Sequence, residues 1–84
     1  MKLVTIYTTD RCSRCVTAKT FLAHRGIGYE EINLSRDPDS RAELQQLTGM
    51  FTYPQIVIGG EPIGGLDDLL AADREGRLEQ LLAA

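Results

Sequence analysis

The chain predicts an α/β fold, a four-stranded mixed sheet flanked by helices in the order βαβαββα. Three observations carry that prediction. Strand-like runs of β-branched and aromatic residues alternate with stretches of helical periodicity. Gly59-Gly60 separates two short strand-like runs and signals a hairpin. Turn and cap residues fall at the joints, at Thr8-Thr9-Asp10, Gly26, Asp37-Pro38 and Gly49.

Leu3, Val4, Ile6 and Tyr7 form the first strand, which ends at the polar cluster Thr8-Thr9-Asp10. A helix follows over about Ser13 to His24. Cys15, Ala18, Phe21 and Leu22 share its inner face, and Arg14, Lys19 and Arg25 point outward. Gly26 suits its C-terminal cap. Tyr29 to Leu34 alternates and reads as the second strand. Asp37 as N-cap and Pro38 at the first helical position open a second helix. Ala42, Leu44 and Leu47 give that helix a modest apolar face, and Gly49 ends it. Gln55-Ile56-Val57-Ile58 is a short strand, and Glu61-Pro62-Ile63 returns from the hairpin as an edge strand. Leu66, Leu69 and Leu70 begin the last helix over Asp67 and Asp68, whose charges suit a helix N-terminus. Gly76 interrupts, and Leu78, Leu81 and Leu82 continue the apolar face. The first two strands, joined through a helix, are expected to be parallel; the two-residue turn makes the last two antiparallel.

Residues 1–84 are expected to form a single domain with one modest core. Hydrophobic residues at 43% and charged residues at 25% are ordinary for a globular protein. The net charge of −3, with no basic run, argues against nucleic acid or a membrane surface as partner. The N-terminus is too short and too alternating for a signal peptide, and no apolar run can span a bilayer. These points place the protein in the cytoplasm, where paired cysteines point to catalysis or metal binding rather than to structure.

Both cysteines stand in Cys12-Ser13-Arg14-Cys15, where the first strand becomes a helix. Thiols one helical turn apart can close into a disulfide with little backbone movement. A thiol at a helix N-terminus meets unpaired N–H groups and a dipole that favour its thiolate, and Arg11 and Arg14 add positive charge. The thiolate is the attacking species in thiol–disulfide exchange. A structural disulfide closing so short a loop would remove little unfolded-state entropy. Zinc needs four ligands, and beyond the cysteines only His24 offers a good nitrogen donor, so a metal site would have to be shared between chains. His24 itself reads as a surface residue at a helix end. Met50 reads as gap-filling or exposed, and Phe51 as groove lining or a loop anchor.

Three motifs in order resemble the glutaredoxins, small members of the thioredoxin fold, over nearly the full chain. They are Cys12-x-x-Cys15, Thr52-Tyr53-Pro54-Gln55-Ile56 and Ile63-Gly64-Gly65-Leu66-Asp67-Asp68-Leu69. The resemblance implies a cis Pro54 facing the cysteines, with the backbone of Tyr53 free to pair with an extended peptide such as glutathione. It implies that the backbone at Leu66 and Asp67 receives the γ-glutamyl carboxylate at a helix N-terminus, that Asp67 or Asp68 pairs with the ammonium, and that Gly64 and Gly65 allow the close approach. The chain departs from the family pattern in four places. Ser13 and Arg14 replace the common proline and tyrosine, Thr9 stands where a lysine often meets the glycyl carboxylate, and Tyr53 replaces a valine. Arg11 or Arg14 can supply the missing charge.

The function implied is a glutathione-dependent thiol–disulfide oxidoreductase acting on protein disulfides and glutathionylated thiols. Cys12 attacks and Cys15 resolves. Its partners are glutathione and disulfide-bearing or glutathionylated proteins, and it works as a monomer. One alternative is a [2Fe–2S] cluster held between two chains by Cys12 and glutathione, since some glutaredoxins with a serine after the first cysteine resemble Ser13 here. Another is a hydrogen donor served by thioredoxin reductase, which has no need of the Gly64-to-Asp68 motif.

Overall fold

The computed structural model describes residues 1–49 and 52–83, so the roles expected of Met50 and Phe51 lie outside the described residues. β1 (Val4–Thr8) is the strand around which the rest assembles. Its β-branched run buries Val4, Ile6 and Thr8 on one face and leaves Thr5 and Tyr7 half-buried on the other, the period-2 alternation of a strand. β2 (Glu30–Asn33) pairs with it in parallel, from Thr5 opposite Glu30 to Thr8 opposite Asn33. β3 (Gln55–Ile58) pairs on the other side, antiparallel, from Val4 opposite Ile58 to Tyr7 opposite Gln55. β4 (Glu61–Gly64) completes the order β2-β1-β3-β4 as an edge strand, with a register shift between Ile56 and Val57. All four residues of β3 are buried, which fits the apolar run Ile56-Val57-Ile58 being covered on both faces.

α1 (Ser13–His24), α3 (Leu66–Arg74) and α4 (Leu78–Leu82) pack on one face of the sheet. The core there joins Ile6 and Ile56 to Ala18 and Leu22 of α1, Leu66 and Leu69 of α3, and Leu78 and Leu82 of α4. α2 (Asp39–Thr48) lies outside that cluster and buries Leu44 alone. The Arg25 guanidinium sits over the Phe21 ring at 5.1 Å and donates two 2.7 Å hydrogen bonds to Asp73, so the end of α1 is clamped to the end of α3.

Several expectations are corrected in detail. The last helix is two helices. Gly76, at φ +73, lets its own N–H reach Asp73 O at 3.1 Å and the Arg77 N–H reach Ala72 O at 2.9 Å. That pair of bonds satisfies the terminal carbonyls of α3 and turns the chain before α4 begins. Gly26 closes α1 through the same pair of bonds, to Ala23 O and Leu22 O. Asp37 does not cap α2. Pro38 holds that position, and the Asp37 carboxylate accepts from the Ser40 hydroxyl instead. Ala42 is exposed and Leu47 is 46% exposed, so the apolar face read for α2 narrows to Leu44. β2 is shorter than Tyr29 to Leu34, because Tyr29 packs against the core from outside the ladder and Leu34 is already in the following turn.

Candidate active site

β1 ends in a turn whose last residue before the cysteines, Arg11, takes a left-handed backbone at φ +58. A residue with a Cβ is uncommon there, and such strain concentrates at functional loops. The turn delivers Cys12 to the N-cap of α1, with an extended backbone at φ −112 and ψ 99. Its Sγ accepts the Cys15 N–H at 3.1 Å. No acidic residue occupies the first turn of α1, so the positive end of the helix dipole is left to the sulfur. Cys12 and Cys15 are joined as a disulfide, with Cα atoms 5.2 Å apart. Cys12 is partly accessible, whereas Cys15 is only 2% exposed.

On one flank of this turn is a small pocket of about 260 Å³. The loop before β3 contributes Thr52, Tyr53 and Pro54, and the Tyr53–Pro54 peptide is cis, as the resemblance implied. The start of α3 contributes Gly65, Leu66, Asp67 and Asp68. A Cβ at Gly65 would lie 3.3 Å from the Pro54 carbonyl oxygen, so glycine lets the two walls approach closely. Asp68 accepts the Gly65 N–H at 2.9 Å, which engages one of its oxygens in holding the helix start. Arg14 closes the pocket from α1, its guanidinium 2.9 Å from Asp67. Both partners are more than half exposed, so the bridge is weak and easily exchanged. Arg11 does not line this pocket. It lies on the other flank with both cysteines.

That other flank is a wider depression of about 760 Å³. Its wall is a polar network. Glu31 of β2 accepts from the Thr8 hydroxyl at 2.7 Å and from Lys19 of α1 at 3.1 Å. Asp10 accepts from Asn33 at 3.0 Å, and its N–H donates to Ser35. The hydrogen bond from Thr8, opposed in part by burial and aided by Lys19, holds the Glu31 carboxyl below its usual 4.5. A depressed carboxyl stabilises the fold above its unfolded pKa, and that contribution is lost as pH falls through the folded value. Glu31→Gln is therefore expected to cost about 1 kcal/mol or less at neutral pH. Urea midpoints of the two proteins should converge on acidification below the ordinary glutamate range; a gap independent of pH would contradict the assignment.

Of the residues singled out in the sequence, Thr52, Tyr53, Pro54, Gly65, Leu66, Asp67, Asp68 and Arg14 therefore converge on one pocket, while Arg11, Cys12 and Cys15 share the wider depression. Several residues around the site escaped the sequence reading. Gln55 is fully buried, and its Nε2 donates to the Thr52 carbonyl at 2.8 Å and the Thr52 hydroxyl at 3.1 Å. It thus spans the cis peptide and fixes the loop beside α3. Its Oε1 has no hydrogen-bond partner among the described residues. A lone polar residue opening the run Ile56-Val57-Ile58 was the available signal. Arg36, Lys19 and Asn33 gave none, because only the sheet brings them to the cysteines.

A family model described as Glutaredoxin matches residues 4–63. A glutaredoxin of Pseudomonas aeruginosa is 45% identical over 84 residues, covering all of both chains. The solution structure of a Brucella melitensis glutaredoxin superposes with a TM-score of 0.83 at 46% identity, over 98% of this chain and 89% of that one. A buckwheat glutaredoxin–glutathione complex superposes with a TM-score of 0.87 at 32% identity, over 96% of this chain and 76% of that one. The paired cysteines fit a thiol–disulfide oxidoreductase, and the chain belongs to the glutaredoxin family.

Proposed function

We propose that this protein is a glutathione-dependent thiol–disulfide oxidoreductase that works as a single chain and a single domain. The observation that carries the reading is the pocket between the Tyr53–Pro54 loop and the start of α3, next to the cysteine turn. Its chemistry matches glutathione at both ends of the γ-glutamyl group. The first N–H groups of α3 at Leu66 and Asp67 receive the carboxylate, and the Asp67 carboxylate receives the ammonium. The backbone of Tyr53 pairs with the peptide, as a strand pairs with an edge. The complex of the buckwheat relative with glutathione supports the same ligand.

On a glutathionylated protein, the Cys12 thiolate attacks the glutathione sulfur. The client thiolate leaves and takes a proton, and Cys12 is left in a mixed disulfide. A second glutathione thiolate attacks the bound glutathione sulfur, releasing glutathione disulfide and the Cys12 thiolate. On a protein disulfide, Cys12 forms the mixed disulfide with one client sulfur and the other leaves as a thiol. Cys15 then attacks Cys12, the first client sulfur leaves, and the Cys12–Cys15 disulfide remains. Two glutathiones reduce that disulfide.

The test is release of glutathione from a glutathionylated peptide, coupled to glutathione reductase. Saturable turnover is expected, and Asp67→Asn should raise the apparent KM for glutathione by roughly fivefold, the weight of one exposed charged contact. Reduction by thioredoxin reductase with no turnover by glutathione would overturn the reading.

A further inference from the structure

Cys12 opens onto the wider depression, not onto the small pocket. We propose that this depression is the docking surface for the client polypeptide, and that it selects an acidic segment flanking the client's cysteine. The inference rests on the glutathione reading for the place of the small ligand, and goes beyond it in naming where the macromolecule lies and what charge it carries.

Two features lead there. The first is room. With glutathione held in the 260 Å³ pocket on one flank, the depression of about 760 Å³ that Cys12 lines on the other flank stays open for the chain joined to the glutathione sulfur. The exposed Val16, 58% accessible, gives that flank an apolar floor beside Cys12.

The second feature is charge. The depression is lined by the cations Arg11, Lys19 and Arg36 and the anions Asp10 and Glu31, a local formal charge of +1 in a chain of net −3. The anions are already engaged, Glu31 by Thr8 and Lys19 and Asp10 by Asn33. Arg11 has no ion pair or hydrogen bond through its side chain among the described residues. Arg36 is only loosely held: it is 81% exposed and its ion pair with Asp10, at 3.9 Å, is too long for a hydrogen bond. Arg11 and Arg36 come from the turns after β1 and β2, so they stand on adjacent strand ends and can grip two carboxylates of one extended segment.

The experiment compares glutathionylated peptides whose cysteine is flanked by Asp and Glu or by Lys, at low salt, with the native protein, Arg36→Gln and Arg36→Glu. The acidic peptide is expected to have the higher kcat/KM, by roughly three- to tenfold, a ratio that falls as salt screens the charges. Arg36→Gln should reduce the ratio towards one and Arg36→Glu should invert it. Arg36 is a surface side chain, so the variants keep the fold. A second arm removes glutathione altogether, following single-turnover attack of reduced protein on the same peptides carrying 2-mercaptoethanol in place of glutathione. If turnover with glutathione fails but the single-turnover preference survives, the glutathione reading falls and the docking surface stands. A native ratio near one in both arms, or a ratio indifferent to Arg36 while the KM for glutathione rises, overturns the docking surface and assigns the depression to something other than the client.

Discussion

Cys12→Ser should lose glutathione release to the uncatalysed background, while Cys15→Ser should keep most of it. The two sulfurs differ in their surroundings far more than their spacing suggests. Cys12 sits at the N-cap of α1, accepts the Cys15 N–H, faces a helix end without acidic residues and is partly open to solvent. Each of these favours a thiolate that a bulky disulfide can reach. Cys15 is 2% exposed within α1 and is bonded to the sulfur of Cys12. Serine at position 12 keeps the shape but replaces the thiolate with a poor nucleophile. Serine at position 15 removes only the resolving step, which the one-thiol route does not use. With a protein disulfide the outcome changes: Cys15→Ser should accumulate the mixed disulfide, visible as a covalent adduct by mass spectrometry. Full activity in Cys12→Ser would sink this assignment.

Leu69→Ala is expected to be the most damaging single truncation on α3. Leu69 is fully buried where α3 meets the sheet, in the same cluster as Ile6, Leu22 and Ile56. Removing its branched end costs about 2–5 kcal/mol as transfer free energy and cavity together. In a domain this small that lowers Tm by more than about 10 °C. Leu47→Ala is the control. Leu47 is 46% exposed on α2, and its truncation should cost under about 1 kcal/mol. Equal losses for the two variants would mean that the core is not divided as described. Leu69 also carries the start of α3, so a mild variant such as Leu69→Met should preserve the glutathione KM while Leu69→Ala raises it.

The contrast between Leu47 and Leu69 shows where the sequence was readable. Both are leucines at helical spacing, and periodicity placed both on inner faces. α3 packs on a strand pair with α1 and α4 beside it, so its periodic face is covered. α2 lies on the other face and buries only Leu44. Propensity and period report which way a face points, not whether another element arrives to cover it. The helix boundaries of α1 were legible because the helix carries its own punctuation. Cys12 caps its start, and Gly26 supplies the positive φ that ends it. Asp37 misled because its carboxylate has a nearer partner in the Ser40 hydroxyl.

The sequence carried the strand and helix order up to the break at Gly76, the hairpin at Gly59-Gly60, the cysteine pair at a helix start and, through three spaced motifs, the family. All of these are written in short stretches whose backbone preferences and local bonds do not depend on distant partners. Tertiary structure alone decided the rest. It turned Arg14 toward Asp67 and away from the wide depression, and it fixed Gln55 across the Tyr53–Pro54 bend. It also set Arg36 and Lys19 around Cys12. Those neighbours come from strands and helices far apart in the chain, and only the register of β1 against β2 and β3 determines which of them share a wall.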